Sequence, residues 1–198
     1  MQTDAAGTNR GDAKIWFFRV LIVAGAGFMV YSWYAPWWSA DLSAIPGSNH
    51  LVLRPWGIEA VHRVRQYSEN SLYDMPPFFA PLVWTYLAVC MLALATSLFV
   101  KKQFSIGRIK LQLASVLIAL VGLSYLVTTA IAYAVGEMRA DGAGTKFIGR
   151  SIVTNPNYSG DITMISQLEI GYWLAIGAGV VLIVLALLRG QFVGKPKG

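Results

Sequence analysis

Four stretches of about twenty mainly apolar residues recur along the chain, the length a helix needs to cross a hydrocarbon layer of about 30 Å. They extend from Ile15 to Trp38, Phe78 to Val100, Leu111 to Val135 and Ile170 to Leu188. Only Arg19 carries a full charge inside them, about one turn into the first, where its long stem can reach the near interface. Charged residues make up 13% of the chain, against about 25% in an average soluble domain, too few to coat a water-soluble globule. A disulfide-stapled module is excluded by the single cysteine, Cys90, and disorder by the aromatic and apolar content. The pattern predicts an all-α integral membrane protein, a bundle of four transmembrane helices with two structured external loops.

Basic residues orient the spans. Ten of the 16 Lys and Arg fall on one side, in residues 1–14, at Arg19, in the link 101–110 and in the tail 189–198. Six fall on the other side, in loops 39–77 and 136–169. With acids included, the first side carries +8 and the second −2, which together make the formal charge of +6. The positive-inside rule then predicts cytoplasmic termini and two external loops in a cell membrane. Attraction to anionic lipid accounts for the basic excess, so the expected partner is the bilayer and not nucleic acid. Residues 1–14 read as a disordered cytoplasmic arm, and the first stretch as an uncleaved span, too long and too Trp-rich for a signal peptide.

Aromatic side chains gather at the span ends. Trp33, Trp37 and Trp38, with Tyr31 and Tyr34, stand where the first span should leave the bilayer, and Trp173 stands where the fourth enters. These are the expected membrane-interface anchors. Small residues mark the expected helix contacts: Gly171, Ala175 and Gly179 on the fourth span, and Ser124, Thr128 and Ala132 on the third, each at a spacing of four. The spans hold no Asp, Glu or His, which disfavours proton relays and intramembrane haem ligation. Met29, Cys90 and Met91 read as packing residues.

The first external loop contains Ile58, Val61, Val64 and Tyr67 at a spacing of three, which predicts a short amphipathic helix with Pro55 in its first turn. On it Glu59 and His62 form a Glu-x-x-His unit, the spacing used in carboxylate-bridged metal sites. His50, Asp74 and Glu69 could complete a mononuclear site for copper, zinc or iron. The competing reading is a solvated helix with a Glu–His or Glu–Arg pair and no cofactor. In the second loop, two β-branched runs within 146–165 around Thr154-Asn-Pro-Asn157 predict a hairpin, able to pair with Leu51-Val-Leu53 in a small sheet. The Gly-x-Gly of Asp141-Gly-Ala-Gly-Thr145 lacks the preceding strand and the Walker ending of a phosphate loop. Asn157-Tyr-Ser159 fits the glycosylation acceptor pattern.

A short arm, a long first loop, a tight cytoplasmic turn and a second loop resemble the layout of claudin-like tetraspan proteins. Those proteins carry Trp…Gly-Leu-Trp…Cys…Cys in the first loop, where this chain has Pro55-Trp-Gly57 and no cysteine. The resemblance implies layout alone and carries over no functional residue. Uncharged spans and the lack of a complete catalytic constellation lead to the expectation of a non-catalytic accessory subunit, contacting other integral membrane subunits through helix faces and external loops. Two further expectations stand beside it, a metal-binding subunit of a membrane oxidoreductase or monooxygenase, and a self-associating adhesion or envelope protein.

Overall fold

The computed structural model describes residues 5–43, 46–47, 51–60, 75–100, 102–106, 109–154 and 161–192. In chain order these form α1 (Ala5–Tyr34), β1 (Trp38–Leu42), β2 (Leu51–Arg54), β3 (Gly57–Ala60), α2 (Phe79–Phe99), β4 (Gln103–Ile106), β5 (Ile109–Gln112), α3 (Leu113–Gly142), β6 (Gly149–Thr154), β7 (Asp161–Leu168) and α4 (Ile170–Phe192). All four helices are long and apolar enough to cross a membrane, α1 over Ala13–Tyr34. The helix α1 begins within the segment expected to be a disordered arm.

The helices share one core. On α1 Phe18, Ile22, Gly25, Met29 and Trp33 are buried, spaced three or four apart so that they form a single stripe, with Ser32 buried beside Trp33. That stripe packs chiefly on α4, which also packs on α3, while α2 lies mainly against α3. Contact between α3 and α4 is backbone-close, since a Cβ on Gly122 would stand 2.8 Å from the Gly179 carbonyl oxygen. Polarity is low enough here that close backbone approach, and not water exclusion, holds the helices together.

Five strands form one antiparallel sheet beyond the ends of the helices, in the order β3-β2-β1-β7-β6. The first loop supplies three strands and the second supplies two. The β6–β7 hairpin lies where the β-branched runs place it, but Leu51–Leu53 does not pair with it directly. Strand β1 stands between them, bonded to β2 on one side and to β7 on the other. Pro36 accounts for β1: the residue before a proline is disfavoured in α geometry, so α1 ends at Tyr34 and the chain continues extended. Trp37 and Trp38 therefore leave the span to which the sequence assigns them.

The expected amphipathic helix is corrected at its start. Ile58, Glu59 and Ala60 lie on strand β3, paired with Leu53, Val52 and Leu51. Pro55 and Trp56 make the two-residue turn between β2 and β3, so Pro55 fixes a turn and not the first turn of a helix. Residues 61–67 of that expected helix lie outside the described residues. The Gly-rich piece at 141–145 closes α3. Gly144 takes φ +66°, the Ala143 amide donates to Arg139 and Ala140, and the Thr145 amide donates to Ala140. This is a helix C-cap that consumes the carbonyls left without partners, which removes the phosphate-loop reading. At the other end of the helices the link between α2 and α3 is itself a hairpin, β4–β5, with the Leu113 amide bonded to the Lys102 carbonyl at 3.1 Å.

Candidate functional site

Trp37 sits where helices and sheet meet and uses every polar atom it has. Its amide donates to the Leu53 carbonyl of β2 at 2.9 Å, and its own carbonyl accepts from the Glu169 amide at 2.9 Å. Its indole Nε1 donates to the Ser32 carbonyl in the last turn of α1 at 2.8 Å. The ring meets Trp33 edge-on at 6.5 Å and Tyr172 of α4 at 6.0 Å. One residue after Pro36 thereby joins α1, β2 and the entry to α4. Gly171 completes this joint, its amide donating to the Pro36 carbonyl at 2.8 Å. A Cβ there would lie 2.5 Å from that oxygen and 2.6 Å from the Ala35 oxygen, so the position admits only glycine.

Below Trp37 lies a hydroxyl cluster in the helical core. Tyr125 of α3 and Ser32 of α1 are bonded through their oxygens at 2.7 Å, and Ser32 Oγ donates to the Met29 carbonyl at 2.8 Å. Tyr125 Oη also reaches the Met29 carbonyl at 3.3 Å, so the two hydroxyls share that acceptor and either can donate to the other. Tyr86 of α2 meets Ser124 Oγ at 3.0 Å, with the buried Cys90 beside it. Trp33 is packed among these rings, 6.4 Å from both Tyr86 and Tyr125 and 1% exposed, yet its Nε1 meets no acceptor. Above it Trp84 stacks on Trp56 at 5.4 Å, and Arg54 caps that stack 5.7 Å from the Trp56 ring centre. Arg54 also donates to the Tyr34 carbonyl at 3.1 Å.

This junction holds hydroxyls, indoles, backbone, the Cys90 thiol and the Arg54 guanidinium, and its carboxylate, that of Glu169, stays at the sheet edge accepting from Ser39 at 2.6 Å; among the described residues no carboxylate or imidazole enters the helical core. Its chemistry is that of a clamp. The Trp37, Gly171 and Arg54 bonds tie the sheet to the helix ends, and the hydroxyl bonds tie helix to helix, because a buried polar atom deprived of its partner costs about 1–3 kcal/mol.

The residues expected to carry function are redistributed. Trp33 and Trp37 are buried at 1% and 3% exposure, so they are packing residues and not interface anchors. Trp38 lies on β1, its Nε1 bonded to the Phe147 carbonyl at 2.6 Å and its ring stacked on Phe147. Trp173 is exposed, as are Tyr31, Tyr34 and Trp16. The helical spacing of Trp33 from Met29, Ile22 and Phe18 is the signal that distinguishes it from Tyr31 and Tyr34.

Within the expected packing stripe, Gly179 meets Leu126 and Gly122 of α3, and Ala175 is fully buried, whereas Gly171 serves the sheet joint. Ser124 reaches Tyr86 of α2, Thr128 bonds its own helix at Ser124, and Ala132 is half-buried against the core. Gly122, the residue that α4 approaches most closely, was not marked by a spacing of four.

Of the candidate metal ligands, Glu59 is exposed on β3 and paired with Arg54 at 3.5 Å. His50, His62, Glu69 and Asp74 lie outside the described residues. Among the described residues no three His, Cys, Asp or Glu are placed to hold a metal ion.

Four membrane-length helices under a sheet drawn from both long loops are the architecture of a multi-pass membrane protein. Compared with known proteins, the chain matches no family model and no curated relative.

Proposed function

We propose that the protein is a non-catalytic subunit of a larger membrane assembly, with the sheet on the external side and both termini in the cytoplasm. The Lys and Arg imbalance between the two ends of the helices supports the orientation. One observation carries the subunit reading. The sheet face that holds Arg150 and Gln167 also holds Ile152 and Ile165, exposed at 62% and 54%, with Ile148 continuing the same parity at 41%. Ile152 pairs with Thr163 and Ile165 with Arg150, so the two isoleucines are diagonal neighbours on adjoining strands. Apolar side chains grouped on a sheet beyond the membrane mark a protein contact. The Trp37 and Gly171 joint holds that face in a fixed position relative to the helices, as a docking surface requires.

Gentle extraction of the tagged protein from its native membranes, followed by size analysis and stoichiometry of what remains bound, tests the proposal. A defined complex is expected, released by Ile152→Glu combined with Ile165→Glu while the variant stays folded. A lone monomer, or a complex indifferent to that pair, rejects it.

A further inference from the structure

At the end of the helices opposite the sheet, two arginines meet no counter-charge among the described residues. Arg189 stands in the last turn of α4, half-buried, with its guanidinium carbon 5.8 Å from the ring centre of Phe18 on α1. Its Nε and Nη1 are buried and meet no acceptor among the described residues. Among the described residues the charge close enough to act on it is of like sign, that of Arg19 on α1. Arg19 is exposed and makes no hydrogen bond or ion pair among the described residues. Two neighbouring guanidiniums with unused donors repel each other, and removal from water makes the repulsion stronger. An anion between them relieves both penalties at once.

The position says which anion. At 1.5 Å per residue, Arg189 lies roughly 28 Å along α4 from Ile170, about the thickness of the hydrocarbon layer. Trp173 lies about 24 Å from Arg189 along the helix, and with Trp173 at one headgroup layer the long Arg189 stem covers the rest of the distance to the other. Trp16 and Phe17, exposed at 67% and 49%, flank the pair with apolar surface that belongs against acyl chains and not against water. Phosphate esters are the anions resident at that depth, and a guanidinium fork matches their geometry. Among the described residues Nε and Nη1 of Arg189 have no acceptor, so these two donors are available to a bound anion. We propose that Arg19 and Arg189, backed by Phe18, form a binding site for the phosphodiester of an anionic phospholipid. This rests on the membrane reading of the four helices and is independent of the subunit proposal.

The test uses the full chain in detergent micelles supplemented with phosphatidylglycerol or phosphatidylcholine, with native mass spectrometry reading retained lipid and thermal unfolding reading stabilisation. Wild type is expected to retain phosphatidylglycerol in preference and to unfold at a higher temperature in its presence. Arg189→Gln weakens that retention by about tenfold, the loss of one charge-assisted hydrogen bond, and Arg189→Lys restores part of it. Arg19→Gln, at an exposed position where folding is not at stake, weakens it as well, whereas Lys146→Gln at the sheet end leaves it unchanged. Equal retention of both lipids by wild type, or equal preference in wild type and Arg19→Gln, overturns the proposal. Displacement of the lipid by millimolar inorganic phosphate assigns the pair to a soluble anion and also overturns it.

Discussion

At the sheet end of the helices, the carbonyls that close α1 are supplied with donors from elsewhere in the chain: the Trp37 indole for Ser32, the Arg54 guanidinium for Tyr34. At the hairpin end, Arg189 keeps two buried donors with no acceptor and faces Arg19. Both ends confront the same problem, polar groups at the edge of an apolar layer. One end supplies the α1 carbonyls from its own side chains, while Trp33 Nε1 and Arg54 Nε stay without a hydrogen-bond acceptor there among the described residues. The other leaves it to the surroundings. At the sheet junction most of these bonds come from the chain itself, whereas under the lipid proposal the hairpin end takes its acceptor from the membrane.

The sharpest way to break this comparison is Gly171→Val. Its side chain would be driven into the Pro36 and Ala35 carbonyl oxygens, both backbone atoms that cannot swing aside. A loss of about 3 kcal/mol is expected, read as a lowered midpoint of thermal or denaturant unfolding. A neutral result would mean that the connector between α1 and β1 is loose, and the clamp would fail as an account of the junction.

Next in size is the pair Trp37→Phe and Trp33→Phe. Both remove an indole of the same volume from the same cluster, but only Trp37 gives up a hydrogen bond. Trp37→Phe should cost about 1–2 kcal/mol more than Trp33→Phe, the price of leaving the Ser32 carbonyl without its donor. Equal losses would show that packing alone holds the two rings. Tyr125→Phe keeps the ring and removes the bond to Ser32, with an expected cost of about 1 kcal/mol in the same assay. The smallest effect is expected at Glu59→Gln, which removes a solvent-exposed partner of Arg54 and should cost less than about 1 kcal/mol, with less effect at high salt. A larger loss there would move Glu59 from the sheet rim into the working part of the junction.

Hydropathy made the four helices legible because length and apolar content are local properties, and Ile170–Arg189 or Phe79–Phe99 could be marked without knowing any neighbour. The β6–β7 hairpin was legible for a related reason, two β-branched runs about a turn. Strand β1 was hidden because Trp37 and Trp38 are as apolar as the span before them, and hydropathy cannot separate a membrane helix from a buried strand that follows it. The Ile58–Tyr67 spacing misled at Ile58–Ala60 because a period of three was matched on few positions, while Pro55 fits a hairpin turn as well as a helix start. Gly171 shows the same limit from another side. Its spacing from Ala175 and Gly179 is helical, but its neighbour is the Pro36 backbone, more than a hundred residues away in the chain.

By itself, then, the sequence determined that four helices would be apolar enough to cross a membrane and that positive charge would collect at one end of them. Both follow from sums over neighbouring residues. The tertiary structure alone decided that Trp33 and Trp37 turn inward, that β1 enters the sheet between β2 and β7, and that Arg19 comes to stand beside Arg189. Each depends on a partner distant in sequence, and contact between distant residues is set by how the helices cross and where the strands return.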